Sequence, residues 1–126
     1  MKLQTILVLA TAVTAVAVAQ QVRTEFLANM AGVGKGKVKW KTRDNLPNQF
    51  QAEFQAEGER LRPNSGYQLN VGNGQYVVDV TTDGFGVYRH TRLFKGANRP
   101  NIGVGTTAVL TDAAGNVAQS GTFQSK

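Results

Sequence analysis

Beyond residue 20 the chain alternates apolar and polar positions in short runs, broken by glycine, asparagine and proline. That pattern belongs to β-strands joined by turns. In Lys35 to Arg43 the odd positions are Lys35, Lys37, Lys39, Lys41 and Arg43, and the even ones are Gly36, Val38, Trp40 and Thr42. In Gln49 to Glu57 the even positions are Phe50, Ala52, Phe54 and Ala56, with Gln or Glu at every odd one. Asp44 to Asn48 between them is rich in turn residues. Pairing Arg43 with Gln49 predicts Trp40 opposite Ala52 and Val38 opposite Phe54, large against small. The same register predicts Lys39 opposite Glu53 and Lys35 opposite Glu57. A helix over residues 48–59 competes, with an Asn48 cap, Gln51 three residues on, and Phe50 and Phe54 one turn apart. Strict period-two alternation outweighs that helical propensity.

A second hairpin centres on Asn73-Gly74, the strongest short turn signal in the chain. It predicts Val71 facing Tyr76, Leu69 facing Val78 and Tyr67 facing Val80, with Gln68, Asn70 and Asp79 on the other side. A strand over Gly86 to Phe94 follows the Asp83-Gly84 turn, with basic residues on both of its faces. Thr106 to Thr111 and Val117 to Phe123 form the last pair, and Val22 to Ala28 the first strand. About eight short strands predict an all-β fold. A two-sheet antiparallel β-sandwich of immunoglobulin-like or Greek-key type is the expectation, and a small open β-barrel the alternative. The layout resembles small secreted immunoglobulin-like domains, without the cysteine pair that brackets a buried tryptophan in that family.

The first nineteen residues follow a different rule. Lys2 is a short positive start, Leu3 to Val18 carries no charge, and Ala17-Val18-Ala19 is a small-x-small cleavage pattern. Residues 1–19 therefore read as a signal peptide and residues 20–126 as the β-domain. The apolar run is short for a membrane span and lacks a basic stop-transfer flank. Cleavage would leave 107 of the 126 residues, with thirteen basic against eight acidic side chains and a net charge of +5. The chain has no cysteine and no Asn-x-Ser/Thr sequon. Packing and hydrogen bonds must hold the domain without disulfides. Together these features point to a secreted, periplasmic or envelope protein of bacterial type.

The residue inventory argues against common enzymatic chemistry. His90 is the one histidine, so neither a His-rich metal site nor a Cys–His nucleophile can be built. Ser65, Ser120 and Ser125 lie outside any nucleophile elbow. Glu53 and Glu57 are matched by lysines, which leaves no carboxylate pair set apart for glycoside hydrolysis. Gly32 to Lys37 lacks the flanking elements of a phosphate-binding loop. Asp44, Asp79, Asp83 and Asp112 are scattered over turns and strand ends, not gathered as calcium ligands. No cofactor or metal is expected.

Two basic segments remain as candidate binding elements. The first choice is Arg89, Arg92, Lys95 and Arg99, with Tyr88 and Phe94 nearby as stacking surface. The second is the stripe of Lys35, Lys37, Lys39, Lys41 and Arg43, whose side chains on one strand face stand about 7 Å apart. His90 reads as an ordinary half-buried histidine. The functional expectation is a non-enzymatic exported module that binds an anionic partner: acidic polysaccharide, envelope surface or nucleic acid. A structural or self-associating envelope protein is the alternative, and a small hydrolase a distant third.

Overall fold

The computed structural model describes residues 21–45, 49–96 and 98–126. The signal-like segment and residues 46–48 of the expected Asp44–Asn48 turn lie outside them, and Asp44 and Asn45 continue the preceding strand instead of turning. Among the described residues there are eight antiparallel strands and no helix: β1 (Gln21–Gly32), β2 (Lys35–Asn45), β3 (Gln49–Glu59), β4 (Gly66–Val71), β5 (Tyr76–Thr81), β6 (Tyr88–Lys95), β7 (Thr107–Asp112) and β8 (Val117–Ser125). The competing helix over 48–59 gives way to β3. Hydrogen-bonded neighbours follow the order β5-β4-β7-β8-β1-β2-β3-β6. The two end strands of that order approach each other through the short loop 82–87, so the sheet nearly closes on itself. At the top of the seam Asp83 N–H donates to Val87 O at 2.9 Å.

Period-two alternation decides which side chains enter the core. Val38 and Trp40 of β2, Ala52, Phe54 and Ala56 of β3, and Tyr67, Leu69 and Val71 of β4 are all buried. Ala28 and Met30 of β1, Tyr76 and Val80 of β5, Tyr88 and Phe94 of β6, Ala108 and Leu110 of β7 and Phe123 of β8 belong to the same interior. Burying these side chains is the main stabilising term in a domain without disulfides.

The β4–β5 hairpin has the register its turn predicts: Val71 pairs with Tyr76, Leu69 with Val78 and Tyr67 with Val80. Asn73 (φ 52) and Gly74 (φ 94) both occupy the left-handed region that a type I′ turn requires. The β2–β3 hairpin has the expected faces, but its register is corrected by two residues. Trp40 pairs with Phe54, not Ala52, and Val38 with Ala56, not Phe54. Lys39 meets Gln55 in place of Glu53, and Lys35 meets Glu59 in place of Glu57. A shift of two leaves each face intact, because side chains alternate with period two. The observed register matches three base–acid pairs, Lys35–Glu59, Lys37–Glu57 and Lys41–Glu53. The expected one matched two. It also sets Gly36 directly opposite Gly58, and brings the Trp40 and Phe54 rings together, tilted at 58° with centroids 6.5 Å apart.

A candidate ligand trough along one sheet face

The outward face of β1, β2, β3 and β6 carries the basic stripe, and the ladders fix what stands beside it. Lys37, Glu57 and Arg89 form one cross-strand row, and Arg43, Gln51 and Lys95 another. Between them lie Lys39, Gln55 and Thr91, then Lys41, Glu53 and Leu93. Three columns result: basic on β2, acidic and amide on β3, and Arg89 to Lys95 on β6. Neighbouring strands are about 4.8 Å apart, so the two outer columns stand about 10 Å apart across β3.

Shallow depressions follow one another along this face. The first is lined by Asn29, Lys35, Lys37, Glu57, Glu59, Val87 and Arg89, with Gly36 and Gly58 in its floor. The next is bounded by Lys37, Lys39, Gln55, Arg89 and Thr91. The third has Glu25, Lys41, Arg43, Gln51, Glu53 and Leu93. Lys37 Nζ lies 3.3 Å from a Glu57 carboxylate oxygen, both half exposed. Gln55 Nε2 donates to Glu53 Oε1 at 2.8 Å. The floor thus presents carboxylates and two amides, which accept hydroxyl donors, and the walls present ammonium and guanidinium groups, which take anions.

The ladders separate the residues singled out from the sequence. Arg89 and Lys95 join Lys37, Lys39, Lys41 and Arg43 on the outer face. Arg99, from the loop after β6, donates from Nη1 to Gln51 O at 3.4 Å and so reaches the lower end of the trough. Arg92 faces the other way. It is paired with the core residue Phe54, and its guanidinium lies 4.7 Å from the Phe94 ring centroid and 5.6 Å from that of Tyr76. Arg92 is nevertheless exposed, because β5 and β6 stand apart at this point.

His90 is also on the inner side of β6, where Tyr76 Oη and His90 Nε2 lie 2.7 Å apart across the seam. The rings of Tyr76 and His90 stack at 28°, and Phe54 and Phe94 meet Tyr76 edge-on. Partial burial, and then the Arg92 charge, lower the His90 pKa below its ordinary 6.5. The hydrogen bond that holds His90 is therefore to a phenol on β5. Ser65 Oγ donates to the Pro63 carbonyl at 2.9 Å.

Asp83 and Asp112 are used by their turns. Asp83 Oδ1 accepts the N–H groups of Phe85 and Val87, and Asp112 Oδ1 those of Ala114 and Asn116. Among the described residues no group of three or more His, Asp or Glu side chains is placed to hold a metal ion. No described helix is long and apolar enough to cross a membrane.

Sequence reasoning missed the wall that Arg89 adds, because β3 and β6 are far apart in the chain. The usable signal was Tyr88 and Phe94, even-numbered aromatics at the two ends of β6 that mark its inner face and leave Arg89 and Lys95 outside. No family model matches the chain, and no curated protein matches it.

Proposed function

We propose that this is an exported, non-enzymatic module of the bacterial envelope or exterior that binds an acidic polysaccharide laid along β3. The observation that carries the reading is the row order on one exposed face: cations on β2 and β6, with carboxylate and amide acceptors between them. A sugar polymer offers hydroxyl donors to the floor and carboxylate or sulfate groups to the walls. A nucleic acid, with a phosphate at every residue and few free hydroxyls, offers anions to the cationic walls but few donors to the acceptors on the floor. We take the platform to be a curled sheet closer to an open barrel than to two facing sheets, a reading supported by the one hydrogen-bonded order through all eight strands.

The test is retention of the domain on immobilised heparin across a salt gradient, beside a control protein of matched net charge. The expected result is elution well above the control, lowered in Lys37→Gln/Lys39→Gln/Arg89→Gln and unchanged in Arg92→Gln. Binding that depends on released counterions weakens steeply with salt. A Gln55→Ala variant, which leaves the net charge unchanged, should lower heparin retention but keep binding to polyvinyl sulfate, which has charge without hydroxyls. Elution of the unmodified domain with the control overturns the reading.

One observation favours the structural alternative: β5 and β6 end the hydrogen-bonded order, and unpaired strand edges recruit other strands. Those edges face each other across the Tyr76–His90 contact, so self-association through them requires the seam to open. A domain whose size rises with concentration and that lacks salt-dependent ligand retention would select this alternative.

A further inference from the structure

Two buried polar atoms in the interior have no hydrogen-bond partner among the described residues: Tyr88 Oη and Gln119 Oε1. Tyr88 is 2% exposed and Gln119 0%. Buried polar groups are nearly always satisfied by protein or by ordered water. Gln119 Nε2 donates to Val33 O at 2.7 Å, which fixes the orientation of the amide and aims Oε1 inward.

The two side chains approach each other over a floor of glycine. Gly36 pairs with Gly58, and Gly58 with Tyr88, across β2, β3 and β6. A Cβ on Gly58 would lie 2.5 Å from Tyr88 Cε1, so the ring covers Gly58 and carries its hydroxyl towards β2. A Cβ on Gly36 would run into Gln119 Oε1, so the amide from β8 occupies the space above β2. Antiparallel neighbours hold paired Cα atoms about 4.5–5.5 Å apart. The hydroxyl and the amide oxygen therefore come towards each other from opposite directions above adjacent glycines, without bonding directly.

We infer that a single buried water molecule bridges Tyr88 Oη and Gln119 Oε1 over the Gly36–Gly58 pair. The phenol donates to the water, and the water donates to the amide oxygen, which gives both atoms a partner and the water two, within the usual range for a buried site. Burial, and then the negative charge of Glu57, push the Tyr88 phenol up to about 12. It stays protonated, and a donor, at any working pH. The site lies beneath the depression lined by Lys35, Lys37, Glu57 and Arg89. It ties β6 to β8 across β3, β2 and β1 on the inner side of the sheet that carries the trough.

Two measurements on the full domain test this. A high-resolution crystal structure should show one water within hydrogen-bond distance of both atoms. Density bonded to only one of them, no density, or a direct bond between the side chains overturns the inference. Thermal unfolding of Tyr88→Phe, Gln119→Leu and the double variant gives the second readout. Tyr88→Phe keeps the ring over Gly58 and removes only the hydroxyl, so the fold survives. Each single variant should lower the midpoint by roughly 4–8 °C, and the double by clearly less than the sum, since the partners share one water. Strict additivity overturns the bridge.

Discussion

The hairpins β4–β5 and β2–β3 carry the same alternation of buried and exposed side chains but are aligned by different forces. In β4–β5 the turn is sufficient. Asn73 and Gly74 take the left-handed conformations of a two-residue loop, the Asn70 side chain accepts the Gly74 N–H at 2.7 Å, and the register follows. In β2–β3 the alignment is set by side chains along the strands and from across the sheet: the Lys37–Glu57 ion pair, the Trp40–Phe54 ring contact, and a Gly36–Gly58 pair whose space is taken by Gln119 from β8 and Tyr88 from β6. One register is local, and the other is a property of the folded whole.

Single-methyl substitutions should break the two hairpins by different mechanisms. Gly58→Ala places a methyl against the Tyr88 ring in a fully packed interior, and overpacking of this kind costs roughly 1–3 kcal/mol. Gly74→Ala meets open space, so its cost is only that of a residue with a side chain held at φ 94, about 1 kcal/mol. Urea unfolding measures both, and a larger loss at Gly74 than at Gly58 would reverse the comparison. In addition, Gly58→Ala should disturb the Tyr88 ring signals in NMR spectra, and Gly74→Ala should leave them in place.

A smaller effect lies at the seam. The His90 pKa is lowered in the fold, so over the window just below 6.5 the unfolded chain binds more protons than the folded one. Stability from this group is full above about pH 6.5 and is lost as pH falls through the folded pKa. The unfolding midpoint should decline from pH 7 to 5 more steeply in the unmodified domain than in His90→Gln. Parallel profiles would show that the seam does not sense the proton.

The smallest effect is the most diagnostic of register. A double-mutant cycle between Lys37 and Glu57, an exposed pair, should give a coupling of about 0.2–1 kcal/mol, and Lys35 with Glu57 a weaker one. A stronger coupling for Lys35 would restore the register predicted from the sequence.

These differences explain what could be read from the sequence. Period-two alternation gave the faces of β2, β3, β4 and β5, because burial follows directly from it. The β4–β5 register was readable at Asn73-Gly74, where the chain specifies its own turn. The β2–β3 register was not, because a shift of two residues preserves the hydrophobic pattern and the choice rests on Tyr88 and Gln119, far away in sequence. In β6 the inner positions include His90 and Arg92, polar groups placed where the sheet stops short of closing, so the alternation that identifies other strands is masked. The lysine column of the trough was visible in one strand, whereas its opposite wall requires the β3–β6 ladder. For the same reason Arg89 and Arg92, three positions apart, lie on opposite faces.

The ladder between β1 and β8 has a consequence for how the molecule is made. Phe26 pairs with Ser125 and Ala28 with Phe123, so the first strand of the fold is completed by the last. Closing a loop that spans nearly the whole chain is entropically late and slow, and sheets rich in such pairings fold towards the millisecond-to-second end of the range. A chain emerging at roughly 5–20 residues per second can form the β1–β2–β3 meander early. The other edge of β1 must then remain unpaired until residues 117–125 have been synthesised. During that interval the growing polypeptide carries an open strand edge, and its exposure to aggregation is set by the time needed to finish the C-terminal hairpin.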